Sequence, residues 1–212
     1  MITYIIILIT CLISYKGFKD QYFFEKYKFQ INSIQLGEKI RMWSSGFLHV
    51  DFSHLALNLF TLYVFSDVVL GRIGSFYFLL IYFSSLFFGN YFALKFHKNE
   101  PYYSAVGASG AVTGIVYSSI LLYPQMKLAF IFFPIPFPAY IFGIGYLLYS
   151  IYGMQKRLGN IGHTAHFGGA ITGLFITILI NPMIIINETW IVVLLILPIL
   201  IYVNSKKKLF KS

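Results

Sequence analysis

A serine sits among small residues at the head of an apolar stretch, in the run Gly107-Ala108-Ser109-Gly110-Ala111-Val112-Thr113-Gly114. Further along, a second apolar stretch opens with His163-Thr164-Ala165-His166-Phe167-Gly168-Gly169. Held close together, Ser109 and His166 would be a nucleophile and the base that takes its proton. Earlier in the chain, His54 and Asn58 are four residues apart, so on a helix they share one face, and both can donate hydrogen bonds. With the backbone N–H of Ser109 they would form an oxyanion hole for acyl transfer. His49 lies just before the same helix, as a further donor or as a loop anchor.

Other chemistries compete for these residues. Gly110 and Gly114, and the ladder Ala165, Gly169 and Gly173, would let two helix backbones approach closely in lipid. Helix packing alone accounts for the glycines, but not for a serine and a histidine beside them. The seven acids are Asp20, Glu25, Glu38, Asp51, Asp67, Glu100 and Glu188, and none falls in the stretches carrying Ser109 and His166. Serine chemistry here must therefore run on a dyad, with the imidazole oriented by packing instead of a carboxylate. The same scarcity weighs against a membrane aspartyl protease, and no His-Glu-x-x-His motif is present. Zinc held by His49, His54, His163 and His166 is a further reading. Against it, a spacing of five does not return to one helix face, and Ser109 is left without a role. In a non-enzymatic reading, Ser, His and Asn glue helices together in an adaptor or transporter.

The elements that must position these groups are membrane helices. The chain of 212 residues is 58% hydrophobic and 11% charged, with a mean hydropathy of +0.74. A soluble domain carries about twice that charge. Apolar stretches recur along the whole length, which predicts one polytopic all-α membrane domain over residues 1–212. Helices are expected over about 2–18, 52–70, 74–94, 106–123, 138–152 and 165–180, with a seventh span over about 190–203. The first lacks a basic leader and a small-residue cleavage site, so it reads as a retained helix. Residues 16–51 alternate charge with aromatics and suit the membrane interface. Phe132 to Pro138 carries three alternate prolines and must be extended. Cys11 excludes an internal disulfide. The net charge of +9 comes from loops and the tail Lys206-Lys207-Lys208, where lipid headgroups are the expected contact, and nucleic acid is not.

With these motifs in hand, the chain resembles the rhomboid family of intramembrane serine proteases over about residues 38–181. Gly107-Ala108-Ser109-Gly110 looks like the family's Gly-x-Ser-Gly, Ala165-His166-x-x-Gly169 like its histidine motif, and His54-x-x-x-Asn58 like its second-helix pair. Phe47-Leu48-His49 is similar as well. The resemblance implies a six-helix bundle with an additional C-terminal helix at about 188–204. It implies that Ser109 attacks a peptide carbonyl while His166 takes the proton and returns it to the leaving amine. His54, Asn58 and the Ser109 amide would hold the oxyanion, with His49, Gly107 and Thr113 in support. The fifth helix and its following loop would act as gate and cap. Substrates would be transmembrane helices of other proteins in the bilayer, with no cofactor and no metal, and a plasma-membrane location is expected. The alternatives are a catalytically weak or inactive rhomboid-like adaptor, or a His-ligated zinc hydrolase.

Two positions depart from the family pattern. Where the family often has adjacent Trp-Arg, Ile40 precedes Arg41 and the nearest tryptophan is Trp43. Four residues after the serine, where the family commonly places an aromatic that stacks on the histidine, this chain has Thr113. Sidedness is in conflict too. With seven spans, fourteen Lys and Arg fall on the side of the first loop and two, Arg72 and Lys127, on the other. The positive-inside rule then puts the first loop in the cytoplasm. The family topology, with that loop on the far side, is the orientation expected here, because the loop folds as a unit at the interface.

Overall fold

In lipid each backbone N–H and C=O must find a partner within the protein, and apolar runs do so by coiling into helices. The computed structural model describes residues 1–130, 133–158 and 161–209. In chain order the elements are α1 (Ile2–Lys19), α2 (Gln21–Tyr27), β1 (Phe29–Gln30), α3 (Ile31–Gln35), α4 (Arg41–Ser44), a 3-10 turn (Ser45–Phe47) and α5 (Phe52–Phe96). There follow β2 (Ser104–Ala105), α6 (Ser109–Leu122), β3 (Lys127–Phe130), β4 (Phe133–Pro138), α7 (Ala139–Lys156), α8 (His163–Ile180), α9 (Ile184–Asn187) and α10 (Thr189–Leu209). The structure is 77% helical, and α1, α5 and α8 are each long and apolar enough to cross a membrane. Ser109–Leu122 and Thr189–Asn204 are shorter apolar helices. This is an all-α polytopic membrane protein.

The helices expected at 52–70 and 74–94 run on without a loop. Gly74, at φ 81° and ψ 174°, breaks the helix between them. That backbone conformation is open to glycine and costly for other residues. The first arm, 52–73, then lines the cavity with His54, Leu57, Asn58 and Thr61, while the second, 75–96, packs against α8 through Gly89.

At the centre lies α6, buried from Gly110 through Leu121. The glycine ladder explains how. A methyl added at Gly169 would run into the carbonyl of Gly110, and one at Gly173 into that of Gly114. A methyl at Gly89 would stand 2.7 Å from the carbonyl of Ala165. The second arm of α5, α6 and α8 thus touch backbone to backbone. Buried hydroxyls add cross-links: Ser119 Oγ donates to Phe65 O at 2.8 Å, and Tyr117 donates to Gly143 O of α7 at 2.6 Å. On the outside, α10 lies against α7 through Tyr140 and Trp190, with ring centroids 5.1 Å apart.

The first loop is more ordered than its alternating pattern suggested. Buried Arg41 staples it, pairing through Nε with Glu38 at 2.7 Å and donating to the carbonyls of Glu25 and Lys28 at 2.7 and 2.9 Å. Trp43, displaced from the family position, still packs on Phe87 with centroids 5.0 Å apart. β1 pairs antiparallel with β2, Phe29 opposite Ala105, so the loop is tied to the segment just before Ser109. The proline strip is extended as expected over Phe133–Pro138, and it pairs with β3 in a hairpin that the prolines did not announce. Phe132 lies outside the described residues.

Candidate active site

Ser109 is the first residue of α6, and Ala108 at the N-cap supplies no side-chain cap. The N–H groups of Ser109, Gly110 and Ala111 therefore have no helical acceptor, at the positive end of the helix dipole. Gly107 makes the approach possible. Its φ is 128°, its N–H donates to Ser45 O at 3.0 Å, and a methyl there would stand 2.7 Å from His54 Cε1.

His49 braces this turn from behind. Its Nδ1 lies 2.9 Å from Ser14 Oγ, and Ser14 donates to Phe47 O at 2.8 Å. The serine's one proton is thus committed, so Nδ1–H donates to Ser14, and Nε2 accepts from the Ala108 N–H at 3.3 Å. Burial pushes His49 down to about 3, so it stays neutral and keeps that acceptor. The structure makes His49 the anchor rather than a further donor.

A cavity of roughly 940 Å³ between the first arm of α5 and α7 is lined by Ser109, His166, His54, Asn58, Tyr146 and Thr113. Residues far apart in the chain meet here because α5, α6 and α8 pack so closely. Asn58 Nδ2 donates to His54 O at 2.9 Å, which uses one of its two N–H bonds and leaves the other. Asp51 is also on the wall, but its carboxylate caps α5. It accepts from Ser53 Oγ at 2.6 Å and from the His54 N–H at 2.7 Å, and these bonds hold its carboxyl below the usual range. Among the described lining residues it is the one acid, and it is occupied.

His166 is 6% exposed. Its Nδ1 is 2.8 Å from the Tyr146 hydroxyl, and the two rings stack with centroids 5.5 Å apart at 29°. An aromatic therefore does lie on this imidazole, arriving from α7 and not from the position of Thr113. Thr113 instead donates to Ser109 O at 2.6 Å. Nothing in the chemistry-bearing motifs pointed to Tyr146. The available signal was the set Phe142, Tyr146 and Tyr149, which share one helix face. Among the described residues no hydrogen bond joins Ser109 to His166, although both face the cavity. Catalytic bonds of this kind tighten when a substrate closes the site. His163 is buried behind His166, ring centroids 6.3 Å apart, with neither ring nitrogen bonded among the described residues. No group of three His, Cys, Asp or Glu that could hold a metal occurs among the described residues.

Residues 36–183 match the family described as the Rhomboid domain. The chain is 29% identical over 139 residues to "Rhomboid protein 1, mitochondrial" of Saccharomyces cerevisiae, covering 64% of this chain and 40% of that one. It is 27% identical over 173 residues to "RHOMBOID-like protein 12, mitochondrial" of Arabidopsis thaliana, covering 74% and 51%. To "Presenilin-associated rhomboid-like protein, mitochondrial" of Mus musculus it is 29% identical over 140 residues, covering 63% and 36%. The chain thus matches about half or less of each relative's length. These relatives are mitochondrial by name, which overturns the expected plasma-membrane location. Apolar spans report that a bilayer is crossed; they carry no address.

Proposed function

The chain belongs to the rhomboid family, and from that premise we propose that it is an intramembrane serine endopeptidase that cuts transmembrane segments of other membrane proteins. One observation carries the reading. The cavity that holds Ser109 also holds His166, with Nδ1 engaged by Tyr146 and Nε2 free of hydrogen bonds among the described residues. That is the arrangement a general base needs.

Ser109 Oγ attacks the peptide carbonyl and gives its proton to His166 Nε2. The oxyanion is received by the Ser109 N–H at the uncapped start of α6, the His54 imidazole and the second N–H of Asn58. His166 then protonates the leaving amine, and water hydrolyses the acyl-enzyme by the same route. The cavity lies between the first arm of α5 and α7, a side opening through which a helix in the bilayer would reach the serine.

Covalent labelling by a fluorophosphonate tests this. Wild type should be modified at Ser109, and labelling should vanish in Ser109→Ala and His166→Ala while both variants stay folded. A wild type that neither labels nor cleaves a model transmembrane substrate would overturn the reading in favour of a membrane adaptor.

A further inference from the structure

Ser14 is fully buried on α1, a helix outside the matched residues 36–183. A buried hydroxyl in a membrane helix needs partners, and this one has two in the same segment. Ser14 Oγ donates to Phe47 O at 2.8 Å and lies 2.9 Å from His49 Nδ1. There α1 packs so closely that a methyl at Gly17 would stand 2.9 Å from Leu48 Cδ2. The segment 45–49 also receives the two amides that lead into α6. Gly107 N–H donates to Ser45 O at 3.0 Å, and Ala108 N–H to His49 Nε2 at 3.3 Å. From the other side, Asn90 of α5 donates to Ser45 Oγ at 3.1 Å.

We propose that Ser14 is a positioning residue for the turn that presents Ser109, acting from α1 through His49. The Ala108 N–H is a donor, so Nε2 must be bare and the ring proton sits on Nδ1. Ser14 has one proton and gives it to Phe47 O, so its oxygen accepts from Nδ1–H. The two ends require the same tautomer. The other one would set Nε2–H against the Ala108 N–H, donor facing donor, and would turn Ser14 away from Phe47 to serve Nδ1. By holding Phe47 O, Ser14 keeps Nε2 an acceptor, and that acceptor holds the amide directly before Ser109. The proposal rests on the reading of Ser109 as the nucleophile.

Nitrogen NMR of His49 in the full chain, together with the rate of Ser109 labelling by a fluorophosphonate, tests it. Wild type is expected to show a protonated Nδ1 and a bare Nε2. Ser14→Ala leaves Nδ1–H without its acceptor. It should bring in the Nε2–H form and slow labelling about 10- to 100-fold, the cost of misplacing a nucleophile by up to about 1 Å. On a model transmembrane substrate the loss should fall on kcat and leave KM within a few-fold. Thr10→Val removes a buried hydroxyl of the same helix one turn away, and should keep the wild-type tautomer and rate. In a His49→Gln background, which has no Nδ1, Ser14→Ala should slow labelling little further. A wild type with its proton on Nε2 would overturn the proposal. So would a Ser14→Ala variant that keeps the wild-type tautomer and rate, a Thr10→Val variant that loses as much, or losses that multiply in the double variant. If the tautomer shifts as expected but wild type neither labels nor cleaves, the link from Ser14 to Ala108 stands and the protease reading falls.

Discussion

Replacing Gly107 by alanine should disable the site through His54, and the size of the effect can be worked from the structure. The backbone there has φ 128°, a region that costs a residue with a side chain about 1–3 kcal/mol. The added methyl would stand 2.7 Å from His54 Cε1 and 2.9 Å from Nε2. Ordinary contact begins near 3.4 Å, so the imidazole must retreat by about 0.7 Å. It is the end of a side chain and can swing into the cavity, so it yields instead of resisting. A donor displaced by that much leaves the roughly 2.7–3.1 Å window in which it serves an oxyanion, and losing one such donor costs about 10²–10³ in kcat. Gly107→Ala should therefore lose about two orders of magnitude in kcat on a model transmembrane substrate and a few degrees of thermal midpoint in detergent. The same measurements in His54→Ala and in the double variant isolate the cause. With His54 already truncated, Gly107→Ala should still lower the midpoint and take nothing further from kcat. A Gly107→Ala enzyme within a few-fold of wild type, or losses that multiply in the double variant, would refute the reasoning.

Arg41→Ala removes the part-buried hydrogen bonds to the carbonyls of Glu25 and Lys28, and a bond from a charged donor is worth about 1.5–3 kcal/mol. It should lower the thermal midpoint, with Arg41→Lys failing to restore it because a lysine cannot span three acceptors. Acid should destabilise the fold through His49. The unfolded imidazole takes a proton below about 6.5, while the buried one refuses it until about 3, so its contribution is full above pH 6.5 and lost as pH falls from there to 3. Stability against pH in His49→Gln should be flatter over that window, and an unchanged slope would count against the assignment. Gly169→Ala should push α6 and α8 apart, costing about 1–3 kcal/mol, and should slow fluorophosphonate labelling of Ser109. Cysteines placed at positions 156 and 207 should both label from the face on which the first loop lies; labelling of position 156 from the opposite face would overturn the seven-span arrangement expected here.

Much of the architecture was legible because lipid leaves few choices. An apolar run must be a helix, so the positions of α1, α5, α6, α7, α8 and α10 follow from hydropathy and prolines. Gly110, Gly114, Gly169 and Gly173 announced close backbones in the same way, since small residues at that spacing have little other use in a bilayer. The break at Gly74 was not legible, because one glycine in an apolar run reads equally as a helix interior. The hairpin of β3 and β4 escaped because proline forbids helix without naming a partner strand. In the first loop Arg41 was noticed for its position, but its three acceptors come from residues earlier in the loop, including backbone groups that no side-chain pattern reveals.

At the candidate site the division is sharper. Residue types and spacing alone put Ser109 at a helix start, His54 beside Asn58 on one face, and no acid within the helices of the dyad. Those are local properties, set by chain chemistry over a few residues. What orients His166 was decided only in three dimensions. Thr113 looked like a missing aromatic until α7 supplied Tyr146, and His49 looked like a possible donor until Ser14 and Ala108 claimed its two nitrogens. The direction of a proton on an imidazole depends on every hydroxyl and carbonyl in the chain of bonds, and those partners come from helices that only packing brings together.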